Sequence, residues 1–515
     1  MARDPQGALV ALNRFGFGAR GGAAGDFAAA ASDPRGFVKA DLMRPGGAML
    51  EVPGLLPSPE LGQALFAYRK EVREQRARDR AATPAEAMAV SATSDGVAKR
   101  PPSPPERASA GIGDMMTPPP VPMQPGASQP TMPGNAAPKQ PPQPLNVVQK
   151  TYRAEALARL QRASLTEAGF VERLVTFWSN HFCISANKGE PARIWAGAFE
   201  REAIRPFVLG RFADMLLAVE QHPAMLFFLD NQQSFGPNSR VGINRKRGLN
   251  ENLAREIMEL HTLGVGGGYT QEDVTSLARI IPGWTFSGPN GRLAPPGAFV
   301  FNPNAHESGP QTLLGKTYPD TGLSQGQAAL NDLARHPSTA KFIATKLARH
   351  FVADDPPPAL VARLADTFRK SEGDLRAVSM TLIESDEAWT APLTKIRSPY
   401  ELIVAMGRVL ARVPEQPNAA LGSLNVLGQP LWTPAGPNGF ADTNAVWASP
   451  ESIKLRLDIA AQYAARIGDL VEPRDIINIV AGDATSPETR QAIARAESRQ
   501  QAMTLLVMSP EFQRR

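Results

Sequence analysis

Residues 200–221 read EREAIRPFVLGRFADMLLAVEQ, and within that run Ile204, Val208, Phe212, Leu216 and Val219 recur at the spacing of one helical face. The spacing predicts a helix over 200–221 whose apolar stripe is core. His222 would close that helix just before Pro223, where a cation favours the negative end of the helix dipole. Downstream the same periodicity returns over residues 328–335, 339–351, 360–369, 375–384, 399–413 and 450–466, and in two stretches that end at Phe512. Upstream, residues 61–80 and 150–162 carry Arg and Glu at helical (i, i+3) and (i, i+4) spacings. Alternation with a period of two is scarce. Strands or loops are expected near 283–318, where Trp284-Thr285-Phe286 and Phe299-Val300-Phe301 lie between Gly, Pro and Asn.

These patterns predict a mostly α protein, a large multi-helix body with a loop-rich region near 283–318. Much of the proline lies between residues 101 and 144, including Pro118-Pro119-Pro120 and Pro141-Pro142. Proline removes helix hydrogen bonds, and such a composition buries too little apolar surface to offset the entropy of ordering it. A disordered Pro-rich insertion is therefore expected over 87–146. The chain then divides into an N-terminal helical part (1–86), the insertion, a main helical core (147–413) and a C-terminal helical part (414–515).

Chemistry-bearing residues are densest between Phe177 and Asp273, in three blocks. The first is Phe177-Trp178-Ser179-Asn180-His181-Phe182; the second runs from His222-Pro223 to Leu229-Asp230-Asn231; the third runs from Gly248 through Asn250-Glu251-Asn252 and Arg255-Glu256 to His261 and Gly264. On a helical wheel Glu251, Asn252, Arg255, Glu256 and Glu259 share one arc, while His261 falls among Leu253, Ile257 and Leu260. Glu251, Arg255 and Glu259 then form either a solvated (i, i+4) ladder or, with Asn252 and Glu256, the wall of a polar cleft. The glycines at 264 and 266–268 suit a left-handed helix end followed by a cap at Thr270 and Asp273; no strand precedes them and no lysine follows, as a phosphate loop would need. His181 and His350 sit beside aromatics, the setting of a hydrogen-bonded core histidine, and His306 lies in the loop-rich part. No H-E-x-x-H spacing and no G-x-S-x-G elbow occur, and Cys183 between Phe182 and Ile184 reads as a buried apolar thiol.

Two functional classes follow. In one, His181, His222, Asp230, Asn231, Asn252, Arg255 and Glu256 form a cleft for acid/base or metal-assisted hydrolysis, with Glu256 as the general base; which metal, if any, is unknown. In the other, the same residues are a buried polar network that fixes helix packing, and the protein acts by binding a partner. Convergence of Glu256 and His222 on an open pocket would favour the enzyme; burial with satisfied hydrogen bonds would favour the network.

The three blocks, with Leu12-Asn13-Arg14-Phe15-Gly16-Phe17-Gly18, Arg349-His350-Phe351, Leu427-Gly428-Gln429-Pro430 and Pro437-Asn438-Gly439, are similar to the recurring blocks of the bacterial family DUF1800. The resemblance spans nearly the whole chain outside the Pro-rich stretch. Its members tend to be encoded beside proteins of DUF1501, a phosphatase- or sulfatase-like family that often carries a twin-arginine export signal. The resemblance thus implies a DUF1501 partner, for which this chain would be a binding or maturation factor, and it assigns no catalytic residue. Candidate contact surfaces are the loops around Trp284, Phe299 and Phe301 and the stretch holding Trp432, Phe440 and Trp447.

Composition narrows the remaining classes. A net charge of +5 over 515 residues, with the basic residues scattered, disfavours nucleic acid as a partner. One cysteine excludes an intrachain disulfide and multi-cysteine zinc sites. No segment is apolar enough to span a membrane, and residues 1–18 lack the features of a signal peptide. The chain is expected to be cytoplasmic by default, or exported as a passenger on its partner.

Overall fold

The computed structural model describes residues 3–22, 25–82, 144–467 and 471–515, so residues 87–143 of the expected insertion lie outside the described residues. Residues up to Arg69 together with Asn146–Arg515 form one compact unit, and Lys70–Leu145 a second. Among the described residues helices predominate, and the few strands are short and all fall within 283–318 as expected. Trp284–Phe286 pairs antiparallel with Phe299–Phe301, and Gln311–Leu313 with Lys316–Tyr318.

Helix starts follow local chemistry. Asn146 with Gln149, Thr270 with Asp273 and Ser398 with Glu401 each form a reciprocal capping box, opening the helices Val147–Leu165, Gln271–Ile280 and Pro399–Val409. Gly264 takes the left-handed conformation (φ +82°) that the glycine run predicts.

The run 200–221 corrects its own prediction. It is a π turn (Glu200–Ile204), a 3-10 turn (Arg205–Phe207), a break, and an α-helix over Phe212–Glu220. Pro206 has no N–H to continue the ladder and its ring crowds the carbonyl four residues earlier. The stripe is buried all the same: Ile204, Val208, Phe212, Leu216 and Val219 are each 0% exposed, because the core needs apolar groups on one side and not a single axis. His222 is corrected with it. It caps the next helix, Pro223–Phe228, by accepting the Ala224 N–H on Nδ1 at 3.1 Å, so it sits at the start of a helix and not at the end of one.

A main core gathers the elements up to Trp432, and a smaller apolar cluster joins Leu402, Met406 and Val409 to Ile459, Ile476, Leu506 and Phe512. Helix Pro399–Val409 therefore serves both, with Tyr400 and Val404 in the main core and Leu402 and Met406 in the smaller cluster.

Candidate functional site

His181 ends the helix Phe170–His181 and is buried. Its Nε2 lies 3.2 Å from the His261 carbonyl and its Nδ1 2.9 Å from Lys346 Nζ. The carbonyl can only accept, so Nε2 carries the proton and Nδ1 takes a hydrogen bond from the ammonium. Burial, and then the Lys346 charge, hold His181 well below the ordinary imidazole range. Burial likewise pushes Lys346 down to about 8. His261, on the π turn Ile257–His261, is buried and pairs through Nδ1 with Glu220 Oε1 at 2.7 Å. Glu220 is also buried, and its second oxygen has no hydrogen-bond partner among the described residues. Glu256 is half-buried; desolvation raises its pKa, opposed by His261 and reinforced by Glu259. Cys183 is buried against the Pro437 carbonyl (3.3 Å), and burial pushes its thiol up to about 12, which makes it a poor nucleophile.

The other predicted residues are elsewhere. His222 is buried with Nε2 3.0 Å from Ser58 Oγ and 3.2 Å from Glu202 Oε2; against burial, the His222 hydrogen bond holds Glu202 below its usual range. Asp230 adopts a left-handed turn (φ +59°) and pairs with Lys188 at 2.6 Å. Asn231 is buried, its amide donating to the Trp284 carbonyl at 2.9 Å. Asn252 is exposed, and Arg255 pairs with Glu251 at 3.0 Å and with Gln271 at 2.9 Å, which extends only the first rung of the expected ladder. His222 and Glu256 line none of the main cavities, either together or singly. Among the described residues no group of three His, Cys, Asp or Glu side chains is placed to hold a metal ion.

What sequence reasoning missed is a buried ionic lattice. Glu401 pairs with Arg173 at 3.0 Å and Arg515 at 2.7 Å; Asp442 takes Arg515 at 3.1 Å and His350 Nδ1 at 2.7 Å; Arg173 donates to His350 Nε2 at 3.0 Å. Arg397 donates to Asn13 Oδ1 at 2.7 Å, and Asn13 to the Glu511 carbonyl, which ties the block around Arg14 to the last residues. Though burial opposes it, Arg173 and Arg515 hold Glu401 at about 2, and His350, Arg515 and Lys395 hold Asp442 far below its usual range. Burial outweighs Asp442 at His350 and pushes it down to about 4. The signal available in sequence was the number of arginines inside helical apolar stripes, such as Arg173 and Arg408.

The open concavity lies instead at residues 426–455. The Asn180 side chain clamps Phe440, accepting its N–H at 2.8 Å and donating to its carbonyl at 2.9 Å, while Ser185 donates to Pro434. A Cβ on Gly439 (φ +76°) would sit 2.5 Å from the Asn180 carbonyl, so the close approach needs glycine. This clamp holds up one wall of a groove of about 900 Å³ lined by Phe228, Leu427, Phe440, Val446, Trp447 and Leu455 among others. Val426 and Val446 are 52% and 43% exposed there. Of the aromatics expected at a surface, Trp284 and Trp432 are core, and Trp447 is buried at the groove wall with its indole N–H donating to the Ala441 carbonyl.

The model of the family described as "Protein of unknown function (DUF1800)" matches residues 10–514, and the chain belongs to that family. No curated protein and no solved structure matches it.

Proposed function

We propose that this DUF1800 protein is a binding or maturation partner for an exported, phosphatase- or sulfatase-like DUF1501 protein, with a protein and not a nucleic acid as its ligand. One observation carries the reading: His181, His222, Asp230, Asn231 and Arg255 are engaged in internal hydrogen bonds or ion pairs, while the wide apolar groove beside Phe440 and Trp447 is left open. Buried polar groups with their bonds made fix a scaffold; exposed apolar side chains in a concavity favour a partner. A stable complex requires at least about 1,000 Å² of buried surface. The test is purification of the tagged native protein at native expression and low salt, with bound proteins and metals identified together. Recovery with a DUF1501 protein is expected, and recovery alone defeats the proposal.

A second reading, acid/base or metal-assisted hydrolysis, draws on one specific observation. Glu256, pushed up, and Lys346, pushed down to about 8, both move toward neutrality around the His181–His261 pair. On this reading Glu256→Gln abolishes hydrolysis of an ester and phosphoester panel by the purified protein; unchanged turnover rejects it.

A further inference from the structure

A second concavity shares Asn187, Pro430 and Thr433 with the apolar groove and so adjoins it, and the pair is called the trough below. This part, about 600 Å³, has the opposite character. Arg153, Arg193, Asn187, Asn418 and Asn425 line it, and none of its lining residues is acidic. Arg193 lies over the Tyr152 ring at 5.4 Å and donates to the Ala186 carbonyl and to Asn187 Oδ1 at 3.2 Å. Arg153 makes no hydrogen bond or ion pair with any described residue. Buried guanidiniums of this protein have partners within the chain, carboxylates for Arg205 (Glu172 and Glu200) and backbone carbonyls for Arg14 (Ala388 and Pro392). Here two guanidiniums line a shared space with carboxamides, the Tyr152 ring and Thr433, and with no carboxylate.

That arrangement selects an anion with flat, forked oxygens, and carboxamides beside it suit a peptide backbone, each offering a donor and an acceptor. The adjoining groove asks for apolar side chains. We propose that the trough takes an extended acidic–apolar peptide segment of the partner: an Asp or Glu carboxylate between Arg153 and Arg193, with the neighbouring apolar side chains against Phe440 and Trp447. This deepens the partner reading and rests on it.

The experiment uses the full chain, expressed with a benzophenone amino acid in place of Asn418 or, separately, of Val446, both exposed on the trough. After irradiation in cells, the cross-linked segment is sequenced by mass spectrometry. Both positions are expected to capture one segment of the co-purifying protein, with an Asp or Glu within a few residues of its apolar side chains. Arg153→Glu should lower the recovered partner about tenfold or more, and Arg153→Lys much less. Arg193→Glu should act in the same direction. Recovery of the partner with cross-links only outside the trough, or through a segment without an acid, overturns this inference and leaves the partner reading standing. So does undiminished recovery with Arg153→Glu, or displacement of the cross-link by 10 mM-scale inorganic phosphate alone at about constant ionic strength, which marks a small-anion site. Absence of any co-purifying protein overturns both.

Discussion

The lattice around Glu401 and the trough around Arg153 use the same residue type to opposite ends. In the lattice Arg173 and Arg515 are 0% and 2% exposed at their side chains and converge on Glu401, itself 1% exposed. In the trough Arg153 and Arg193 are half-buried and meet no carboxylate. Desolvation explains the difference. An arginine sealed from water must have its donors taken up within the chain, by carboxylates at Arg173 and Arg515 or by carbonyls at Arg14, whereas one that keeps a wet side can remain unpaired.

The comparison breaks most readily at Glu401. Glu401→Gln leaves Arg173 and Arg515 buried around a neutral group, and a loss of about 3–5 kcal/mol is expected in denaturant unfolding. A loss below about 1 kcal/mol would mean that water reaches the lattice.

A comparable effect should follow pH. His350 is flanked by Asp442 on Nδ1 and by the Arg173 donor on Nε2, so the folded state holds it neutral down to about pH 4. The unfolded chain protonates that imidazole near 6.5, so unfolding takes up a proton between these values and stability falls as pH drops from about 6.5 to 4. The contribution is on the order of 3 kcal/mol. Thermal unfolding across that range should show the slope in the native protein and a shallower one in His350→Gln; equal slopes would assign it to other groups.

His222 sharpens the comparison from a third place. His222→Ala removes the helix cap and the bonds to Ser58 and Glu202, which should cost about 1–3 kcal/mol in unfolding while partner recovery stays unchanged. Loss of partner at full stability would place His222 with the recognition residues instead. The smallest effect belongs to Arg153→Ala. Stability is expected to stay within about 0.5 kcal/mol, since no bond of the folded chain is lost, with partner recovery alone reduced.

Helical content was legible because burial of Ile204, Leu216 and Val219 imposes a period that survives in the sequence, and the capping box at Thr270 and Asp273 was legible because it is local. The break after Phe207 was not read, since the apolar stripe runs through it and hides the local veto of Pro206. The candidate cluster was read as one place because its blocks are neighbours in sequence. In space His181 turns to Lys346, His222 to Ser58, and Asp230 to Lys188.

By itself the sequence determined the fold class, the places of the few strands, the family, and the burial of His261 and Cys183, because periodicity and short-range capping are properties of neighbouring residues. Only the tertiary structure decided which charges are matched. Glu401 and Asp442 meet the cations of residues 173, 395 and 515 and the neutral imidazole of His350, and the trough assembles residues 153, 187, 193 and 418–433 from separate elements. Electrostatic matching depends on distance in space, and no period along the chain records it.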